Sequence, residues 1–437
     1  MGEAGTSPRA GSLRFAFLMV ATLFFIWGFC HAMLDVLNKH FQDILHVSKA
    51  QSGLIQSAVF GAYFLMALPS ALLIRRIGYR GGILVGLALL AIGAFLFIPA
   101  GLVFRTFGAF LGALFVLSSG LACIETAANP YVTVLGPKEG AAGRLSTAQA
   151  FNSLAYILAP MVGGAVVLGG RPSGDGADFH SLITPYVALG CVVLLVLAVF
   201  SRVTLPEVVE KSEGDPAERS VSLLRQPHFV WGVATQFLYV AAQVGVNAFA
   251  LNFILENAFT QGQGALPGPA PLFGWMTDIT GAARPESAAA YVISIAMVLY
   301  ALGRFSGGWL SRFLAPERLL ALFGLCNVLV MLLVVADIPR VSWMILPLSW
   351  LFMSIMFPFI FALSLQNLGA RTKLASSFLI MAIVGGAVSP PLMGWIADVR
   401  GEMAICFLLP LVGFAATALY GLFYQRLDRL SREEGPA

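Results

Sequence analysis

Charged residues are scarce in this 437-residue sequence, and their scarcity excludes most classes of protein. They make up 11% of the chain, whereas apolar residues make up 58% and the mean hydropathy is +0.85. Soluble domains carry roughly 25% charged residues. A chain with so little charge cannot cover a water-facing surface, and it is too apolar to remain disordered. The sequence therefore predicts an integral membrane protein that is surrounded by membrane lipids.

Cysteine and histidine are also few, with five of each. All five cysteines lie inside apolar runs and none forms a Cys-x-x-Cys pair, so neither a disulfide framework nor a zinc site is indicated. The segments between the apolar runs are short and carry no nucleophile–base pair, metal-ligand spacing or phosphate-binding loop. We therefore expect no enzymatic activity, no metal and no cofactor. The net charge is only +4 and the basic residues are dispersed in short clusters, which argues against nucleic-acid binding.

Apolar runs long enough to cross a bilayer, about 20 residues, recur twelve times between charged or Gly/Pro-containing segments. The predicted spans are 15–38, 52–74, 81–102, 106–130, 147–169, 184–204, 228–256, 288–311, 317–337, 341–366, 374–397 and 403–425. With the N-terminus inside, nineteen of the 26 lysines and arginines fall on inner segments. Positive residues favour the cytoplasmic side, so both termini are predicted to be cytoplasmic.

The twelve spans divide into two halves at a hydrophilic stretch. The predicted domains are an N-terminal six-helix bundle (1–204), a cytoplasmic linker (205–227) and a C-terminal six-helix bundle with a cytoplasmic tail (228–437). The halves also repeat a short motif, since residues 162–166 and 384–388 both read Val-Gly-Gly-Ala-Val. Two parallel six-helix halves are typical of the major facilitator fold, in which substrate binds between the halves at the middle of the membrane.

Two acidic side chains lie well inside apolar runs, Asp35 in span one and Glu125 in span four. Ionisable groups at membrane depth are costly, and burial disfavours their charged form, so both are candidate sites for proton coupling. Two structural alternatives remain open. Asp35 could be an interfacial residue paired with Lys39, and Glu125 could form a hydrogen bond that packs helices together.

Polar and aromatic residues form one-sided stripes on several spans. The candidate substrate-binding residues are Trp27 and His31 in span one, Asn129 in span four, Gln149 and Asn152 in span five, and Gln236, Tyr239, Gln243 and Asn247 in span seven. Residues three or four apart share a helix face. Such amides could also hold helices together, but several stripes in one chain favour a water-lined cavity. In addition, Pro130 lacks an N–H and so leaves one carbonyl of span four without its helical donor.

The composition of these stripes indicates a neutral substrate. Amides both donate and accept hydrogen bonds, which suits vicinal hydroxyl groups, and aromatic faces suit the C–H faces of a sugar ring. No lysine or arginine falls centrally among the spans to bind an anion. The inner basic residues Arg75, Arg76, Arg304 and Arg312 are candidate gate contacts, with anchoring by the positive-inside rule as the alternative.

Three segments resemble one transporter family closely. They are Glu125–Pro137 (Glu-Thr-Ala-Ala-Asn-Pro-Tyr-Val-Thr-Val-Leu-Gly-Pro), Ala148–Ser153 (Ala-Gln-Ala-Phe-Asn-Ser), and the run from Ser354-Ile355-Met356-Phe357-Pro358 to Met381–Gly386. The sequence resembles the fucose–galactose–glucose:proton symporter family of the major facilitator superfamily. The resemblance implies that Asp35 and Glu125 are the coupling carboxyls and that Gln149 and Asn152 line the cavity. The family's amide-rich segment before the span-one Asp is His31-Ala32-Met33-Leu34 here, and Asn247-Ala248-Phe249 departs from its span-seven pattern.

The predicted function is proton-coupled uptake of a neutral monosaccharide, such as L-fucose, galactose, glucose or an amino sugar, by alternating access. The resemblance implies a multi-pass protein of the cytoplasmic (inner) membrane of a bacterium, and we expect it to be monomeric. Two alternatives remain open. The chain could be a proton-driven antiporter that exports sugars or small drugs, or a sugar sensor that does not transport.

Overall fold

The computed structural model describes residues 10–45, 49–163, 179–203, 223–257, 285–339 and 341–433. Regular secondary structure within these ranges is entirely helical, which confirms the all-α prediction. Helices suit a membrane environment because they satisfy their backbone hydrogen bonds internally, with no need for water.

The first eight long helices are α1 (Ala10–Leu45), α2 (Lys49–Phe95), α3 (Phe107–Val134), α4 (Ala141–Gly163), α5 (Phe179–Arg202), α6 (Pro227–Leu255), α7 (Pro285–Leu310) and α8 (Pro316–Val335). They are followed by α9 (Val341–Ile345), α10 (Leu348–Met353), α11 (Met356–Ser364), α12 (Thr372–Met381), α13 (Gly385–Arg400), α14 (Met403–Cys406) and α15 (Leu408–Glu433). Shorter helical turns cover Phe97–Pro99, Ala100–Phe104, Lys138–Gly140, Leu223–Arg225, Gly369–Arg371 and Ala382–Val384.

Ten segments of the described chain are long and apolar enough to cross a membrane. One of them, Leu54–Phe104, contains predicted spans two and three, so the ten segments account for eleven of the twelve predicted spans. The two spans join at Gly78, whose φ of 74° breaks the helical geometry of α2 and is accessible to glycine without a Cβ penalty. Predicted span five coincides with α4, which is described as far as Gly163.

By their contacts, the described residues form two compact units. Unit 1 comprises Met1–Leu223 and Leu365–Met381, and unit 2 comprises Leu224–Ser364 and Ala382–Ala437. The segment Leu365–Met381 was assigned to the C-terminal bundle from the sequence, whereas its helix α12 packs on α2 and α3 within unit 1. The predicted boundaries at 204 and 227 stay predictions, and most of the predicted linker lies outside the described residues.

In unit 1, α1 packs along α4, and α2 packs along α3 and α5. The two helices approach closely at Gly28, where a Cβ atom would lie 2.6 Å from the backbone carbonyl oxygen of Asn152. Small residues let membrane helices approach backbone to backbone. Gly28 therefore fixes how close the polar face of α1 comes to that of α4.

The proline of α3 also has a structural consequence in unit 1. The helix continues through Pro130 to Val134, and the carbonyl of Thr126, four residues before the proline, has no helical N–H to accept from. The hydroxyl of Ser376 in α12 donates to the carbonyl of Lys373 in its own helix at 2.9 Å, and it also lies 3.4 Å from the carbonyl oxygen of Thr126. The carbonyl that the sequence predicts to be free therefore faces a helix from the second half of the chain.

The corner between α3 and α4 is closed by one arginine. Arg144 donates to the carbonyl oxygens of Thr133 at 2.7 Å and Pro137 at 2.8 Å, and its Nε lies 3.4 Å from that of Val132. The last carbonyls of a helix lack intrahelical donors and carry partial negative charge, so a guanidinium stabilises them. Arg144 therefore ties the start of α4 to the end of α3.

In unit 2, α6 packs along α13 and α15, α8 packs along α15, and α10 packs on α7. Gly385, at the start of α13, faces the backbone of α6, where a Cβ atom would overlap the carbonyl oxygen of Phe237. Gly385 belongs to the second copy of the Val-Gly-Gly-Ala-Val motif. The motif therefore marks a close helix contact in this half.

Candidate functional site

Unit 1 contains a chain of hydrogen-bonded polar side chains centred on α3. Glu125 is only 5% exposed, and its Oε1 accepts a hydrogen bond from Asn129 Nδ2 at 3.2 Å. Asn129 Oδ1 in turn accepts from Gln149 Nε2 of α4 at 3.1 Å. The i, i+4 spacing puts Glu125 and Asn129 on one face of α3. These two hydrogen bonds fix the orientation of the side-chain amides of Asn129 and Gln149 next to the buried carboxyl group of Glu125.

A second cluster in unit 1 is built around the hydroxyl of Tyr63 in α2. Trp27 Nε1 donates to Tyr63 Oη, and His31 Nε2 lies 3.3 Å from the same oxygen. The rings of Trp27 and His31 are in contact, with centroids 4.3 Å apart. Tyr63 also forms a hydrogen bond with Glu125. The Tyr63 hydroxyl therefore joins the aromatic face of α1 to the carboxyl group of α3.

The structure brings together most of the unit 1 residues that the sequence predicted for the site. Asn152 is buried in α4 and packs against Gly28 of α1. Asp35 lies on α1, one turn beyond His31, but its side chain is outside the part of the structure that is described. Its predicted role in proton coupling stays a prediction.

Unit 2 contains a comparable cluster around the hydroxyl of Tyr300 in α7. This oxygen accepts hydrogen bonds from Gln243 Nε2 of α6 at 2.8 Å and from Arg304 Nη2 at 2.7 Å. Arg304 Nε also donates to the carbonyl oxygen of Ser354 at 3.2 Å, and its Cζ lies 4.7 Å from the ring centroid of Tyr300. The charged partner of Tyr300 in this cluster is thus a guanidinium, whereas the charged partner of Tyr63 in unit 1 is a carboxyl group.

The four predicted residues of α6 occupy different environments. Gln236 and Tyr239 are fully buried, Gln243 is half-buried and Asn247 is exposed. Tyr239 donates to the carbonyl oxygen of Met353 at 2.8 Å. Gln236 has no hydrogen-bond partner for its amide nitrogen or oxygen among the described residues. An unsatisfied buried amide costs about 1–3 kcal/mol, so Gln236 is a side chain that a water or a ligand would stabilise.

The four candidate gate arginines do not share one environment. Arg75, Arg76 and Arg312 are exposed, whereas Arg304 is 6% exposed and lies among the helices of unit 2. Arg304 is therefore a cation buried among helices, whereas the sequence analysis had grouped it with the exposed inner basic residues. Its charge is tolerated there because a hydroxyl, a backbone carbonyl and an aromatic face surround the guanidinium. Whether these arginines contribute to a gate stays a prediction.

Tyr63 and Tyr300 are the two site residues that the sequence analysis missed. Tyr300 could have been found, because it lies one helical turn before Arg304 and shares its face. Tyr63 gave a weaker signal, a single phenol within span two on the same face as Ala67 and Ser70. Among the described residues, no group of three or more His, Cys, Asp or Glu side chains is arranged to hold a metal ion.

Comparison with known proteins agrees with this architecture. A family model for the Major Facilitator Superfamily matches residues 15–382. The chain is 36% identical over 410 residues to a glucose/galactose transporter of Brucella abortus biovar 1 (strain 9-941), covering 93% of each sequence. It is 34% identical over 428 residues to the L-fucose-proton symporter of Escherichia coli (strain K12), covering 93% of this chain and 92% of that one.

Solved structures give the same result. The crystal structure of the transporter FucP in the outward conformation superposes with a TM-score of 0.81 at 32% sequence identity, covering 94% of this chain and 99% of FucP. The proton:xylose symporter XylE bound to 6-bromo-6-deoxy-D-glucose superposes with a TM-score of 0.70 over 96% of both chains. Because XylE is only 13% identical, this second likeness bears on the fold alone.

The chain belongs to the major facilitator superfamily, and it is a multi-pass membrane protein with the major facilitator fold. Within the superfamily, its relatives lie in the fucose–galactose–glucose:proton symporter family, as the three sequence segments indicated. These relatives are transporters. The predictions of fold and family are therefore confirmed.

Proposed function

We propose that the chain is a secondary active transporter that takes up a neutral monosaccharide together with protons, by alternating access. The observation that carries this proposal is the buried carboxyl of Glu125, hydrogen-bonded through Asn129 to Gln149. The same small region supplies a group that binds a proton and amides that bind hydroxyl groups. Sugar and proton can therefore influence each other's binding.

Glu125 suits the role of proton carrier because of its surroundings. It is buried in a helical bundle, so ionising it without a partner is costly, and protonation removes that cost. Within reach it has an amide donor from Asn129 and the hydroxyl of Tyr63, which stabilise the charged form when the proton leaves. Both states are thus accessible, as a coupling site requires. Asp35 is the second proposed proton site.

The proposed substrate is a neutral hexose or a related monosaccharide. Unit 1 contains the contacting rings of Trp27 and His31 and the buried amides of Asn129, Gln149 and Asn152. In unit 2 the amides of Gln243 and Asn247 are open to a ligand, and the buried amide of Gln236 lacks a partner among the described residues. These amide groups both donate and accept hydrogen bonds, as the hydroxyl groups of a neutral sugar require. The names of the relatives, glucose/galactose transporter and L-fucose-proton symporter, point to the same class of substrate.

The remaining details of the proposal follow from the sequence pattern and the relatives. The transporter would lie in the inner membrane of a bacterium with both termini in the cytoplasm, as a monomer in contact with lipids. It would need no cofactor and bind no nucleic acid, and it would have no enzymatic activity. The exposed Arg75, Arg76 and Arg312, with the buried Arg304, would take part in closing the inner side.

The direct test is sugar uptake into proteoliposomes with and without an inward proton gradient. A panel of L-fucose, D-galactose, D-glucose, D-mannose and N-acetylglucosamine would identify the preferred substrate by counterflow. We expect the gradient to drive accumulation and sugar entry to make the outside medium more alkaline. Acidification outside would indicate antiport, and sugar binding without counterflow would indicate a sensor. Equal uptake with and without the gradient would reject proton coupling.

The Glu125→Gln variant tests the role of the buried carboxyl. Glutamine keeps the shape and the oxygen that accepts from Asn129 but cannot ionise, so we expect sugar exchange to persist while accumulation against a gradient is lost. The matched control is Glu139→Gln, at an exposed position just after α3, which should behave like the wild type. Accumulation at the wild-type level in Glu125→Gln would contradict the proposal.

A further inference from the structure

The hydroxyl of Tyr63 lies where three polar side chains from three helices meet. It accepts from Trp27 Nε1, it lies 3.3 Å from His31 Nε2, and it is hydrogen-bonded to Glu125. Tyr63 itself is 1% exposed. With water kept from the phenol, the hydrogen bonds of this oxygen are distributed among these three neighbours.

A phenol oxygen has one proton to donate and two lone pairs to accept with, which limits how the three neighbours can be satisfied. The indole N–H of Trp27 is a donor only, so it always occupies one lone pair. One proton and one lone pair of Tyr63 then remain for Glu125 and His31. Whichever of the two receives the proton, the other must donate.

The protonation state of Glu125 decides between the two arrangements. An ionised carboxylate only accepts, so Tyr63 then donates to Glu125, and His31 must donate its Nε2–H to Tyr63. A protonated carboxyl can donate to Tyr63, which frees the phenol proton for His31 Nε2. His31 then carries its single ring proton on Nδ1 instead of Nε2. Because His31 is partly exposed, its Nε2 can lose a proton to solvent while its Nδ1 takes one up. The ring keeps one proton, so the only net change is the proton on Glu125.

We propose that Tyr63 is a positioning residue that passes the protonation state of Glu125 to α1 by reversing the direction of its hydrogen bonds. This inference rests on the proposed function, in which Glu125 gains and loses the coupling proton. Reversal changes His31 Nδ1 from an acceptor into a donor, next to the ring of Trp27. A proton on Glu125 thereby changes the hydrogen-bonding groups that α1 offers to the hydroxyls of a sugar.

The other ionisable groups near this cluster can be named. Tyr156 of α4 faces Tyr63. From α12, Lys373 lies over the ring of Tyr79, sixteen residues further along α2. Among the described partners of Tyr63, Glu125 is the one that gains or loses a proton in this proposal, whereas His31 changes only which ring nitrogen carries its proton.

The test is the pH dependence of sugar affinity in Tyr63→Phe, which removes the hydroxyl and keeps the ring. Binding of L-fucose and D-galactose would be measured by intrinsic tryptophan fluorescence on the full-length purified protein between about pH 5.5 and 8.5. We expect the Kd of the wild type to change severalfold over this range and that of Tyr63→Phe to change less than about twofold. Wild-type pH dependence in Tyr63→Phe would overturn the inference.

Two further variants separate the possible outcomes. Tyr186→Phe removes another buried phenol of unit 1, whose hydroxyl has no hydrogen-bond partner among the described residues, and it should keep the full pH dependence. Glu125→Gln should abolish it. If Glu125→Gln abolishes the pH dependence and Tyr63→Phe does not, only the inference about Tyr63 fails. If the wild type shows no pH dependence, or Glu125→Gln retains it, the proposed proton role of Glu125 fails as well.

A spectroscopic measurement on the wild type covers the case in which Tyr63→Phe does not fold. The ¹⁵N chemical shifts of labelled histidine report which ring nitrogen carries the proton, and the His31 signals are assigned by their loss in His31→Gln. We expect the Nε2–H form of His31 at high pH and the Nδ1–H form after Glu125 is protonated. A neutral His31 that keeps the same tautomer throughout the range would overturn the inference.

Discussion

The two units each bury a tyrosine hydroxyl among polar side chains, but they place opposite charges beside it. In unit 1, Tyr63 contacts the carboxyl of Glu125, and in unit 2, Tyr300 contacts the guanidinium of Arg304. In both units a side-chain amide belongs to the cluster. Asn129 donates a hydrogen bond to Glu125 in unit 1, and Gln243 donates one to Tyr300 in unit 2. The arrangement is similar, and the ionisable group differs.

The difference in charge separates two functions. A carboxyl can lose its charge by taking up a proton, whereas a guanidinium stays charged at every pH that a protein encounters. Unit 1 can therefore respond to a proton, and unit 2 presents a fixed set of donors. The two halves of the chain therefore differ in the kind of charged group that each one buries.

The clusters also differ in how they are assembled. The unit 1 cluster joins side chains from four helices, α1 to α4, so it depends on how these helices pack. In unit 2, Tyr300 and Arg304 lie one turn apart on α7 and meet whenever that helix forms. Displacing a single helix should therefore disturb the unit 1 cluster more than the Tyr300–Arg304 pair.

The largest effect is expected from Arg304→Lys. A lysine ammonium cannot reproduce the fork of donors that reaches both Tyr300 and the carbonyl of Ser354. A hydrogen bond to a charged group is worth about 1.5–3 kcal/mol, and 1.4 kcal/mol corresponds to a factor of ten. We expect the initial rate of sugar uptake in proteoliposomes to fall at least about tenfold at every pH, with the midpoint of the pH profile unchanged.

The control for this variant is Arg318→Lys, at an exposed position in the first turn of α8, which should keep wild-type uptake. A shifted pH midpoint in Arg304→Lys would break the comparison, because it would assign proton handling to unit 2 as well.

A smaller effect, on stability, is expected from Gly28→Ala. The added methyl group would lie 2.6 Å from the carbonyl oxygen of Asn152, a backbone atom that cannot move alone. Overpacking of this kind costs about 1–3 kcal/mol. We expect a lower midpoint of thermal unfolding in detergent, together with a weaker pH dependence of sugar binding, because α1 carries Trp27 and His31.

Gly61→Ala on α2 is the matched control, since nothing lies within 4 Å of a Cβ atom at that position. It should unfold at or above the wild-type temperature, because alanine favours a helix over glycine. If Gly28→Ala unfolds at the wild-type temperature, the contact between α1 and α4 is not as rigid as the geometry indicates.

The smallest effect is expected from Tyr300→Phe. Loss of the hydroxyl removes the acceptor for Gln243 and one acceptor for Arg304, which keeps the carbonyl of Ser354. One neutral hydrogen bond is worth about 1 kcal/mol, so we expect sugar affinity to weaken about threefold to tenfold. The pH dependence of binding should remain, in contrast to Tyr63→Phe. A pH-independent affinity in Tyr300→Phe would remove the distinction between the units.

Some contacts of the site could be predicted because they are local. Glu125 and Asn129 are four residues apart on one helix, so the sequence alone puts them side by side, and the structure shows their hydrogen bond. The same spacing links Tyr300 and Arg304, but Arg304 was grouped with the inner basic residues and the pair was overlooked. Likewise, Pro130 predicts a carbonyl without its helical donor, since proline has no N–H to give.

By itself, the sequence determined that this protein lies in a membrane, that its apolar runs are helices, and that a carboxyl and an amide face one another on α3. These features depend on hydrophobicity and on the 3.6-residue repeat, which act over a few turns of chain. Only the tertiary structure decided that α12 brings Ser376 close to the carbonyl of Thr126, that Tyr63 joins α1 to Glu125, and that Arg304 is buried. Such partners are distant in sequence or depend on what surrounds a helix, so they are fixed by the way the helices pack and not by the order of residues along any one of them.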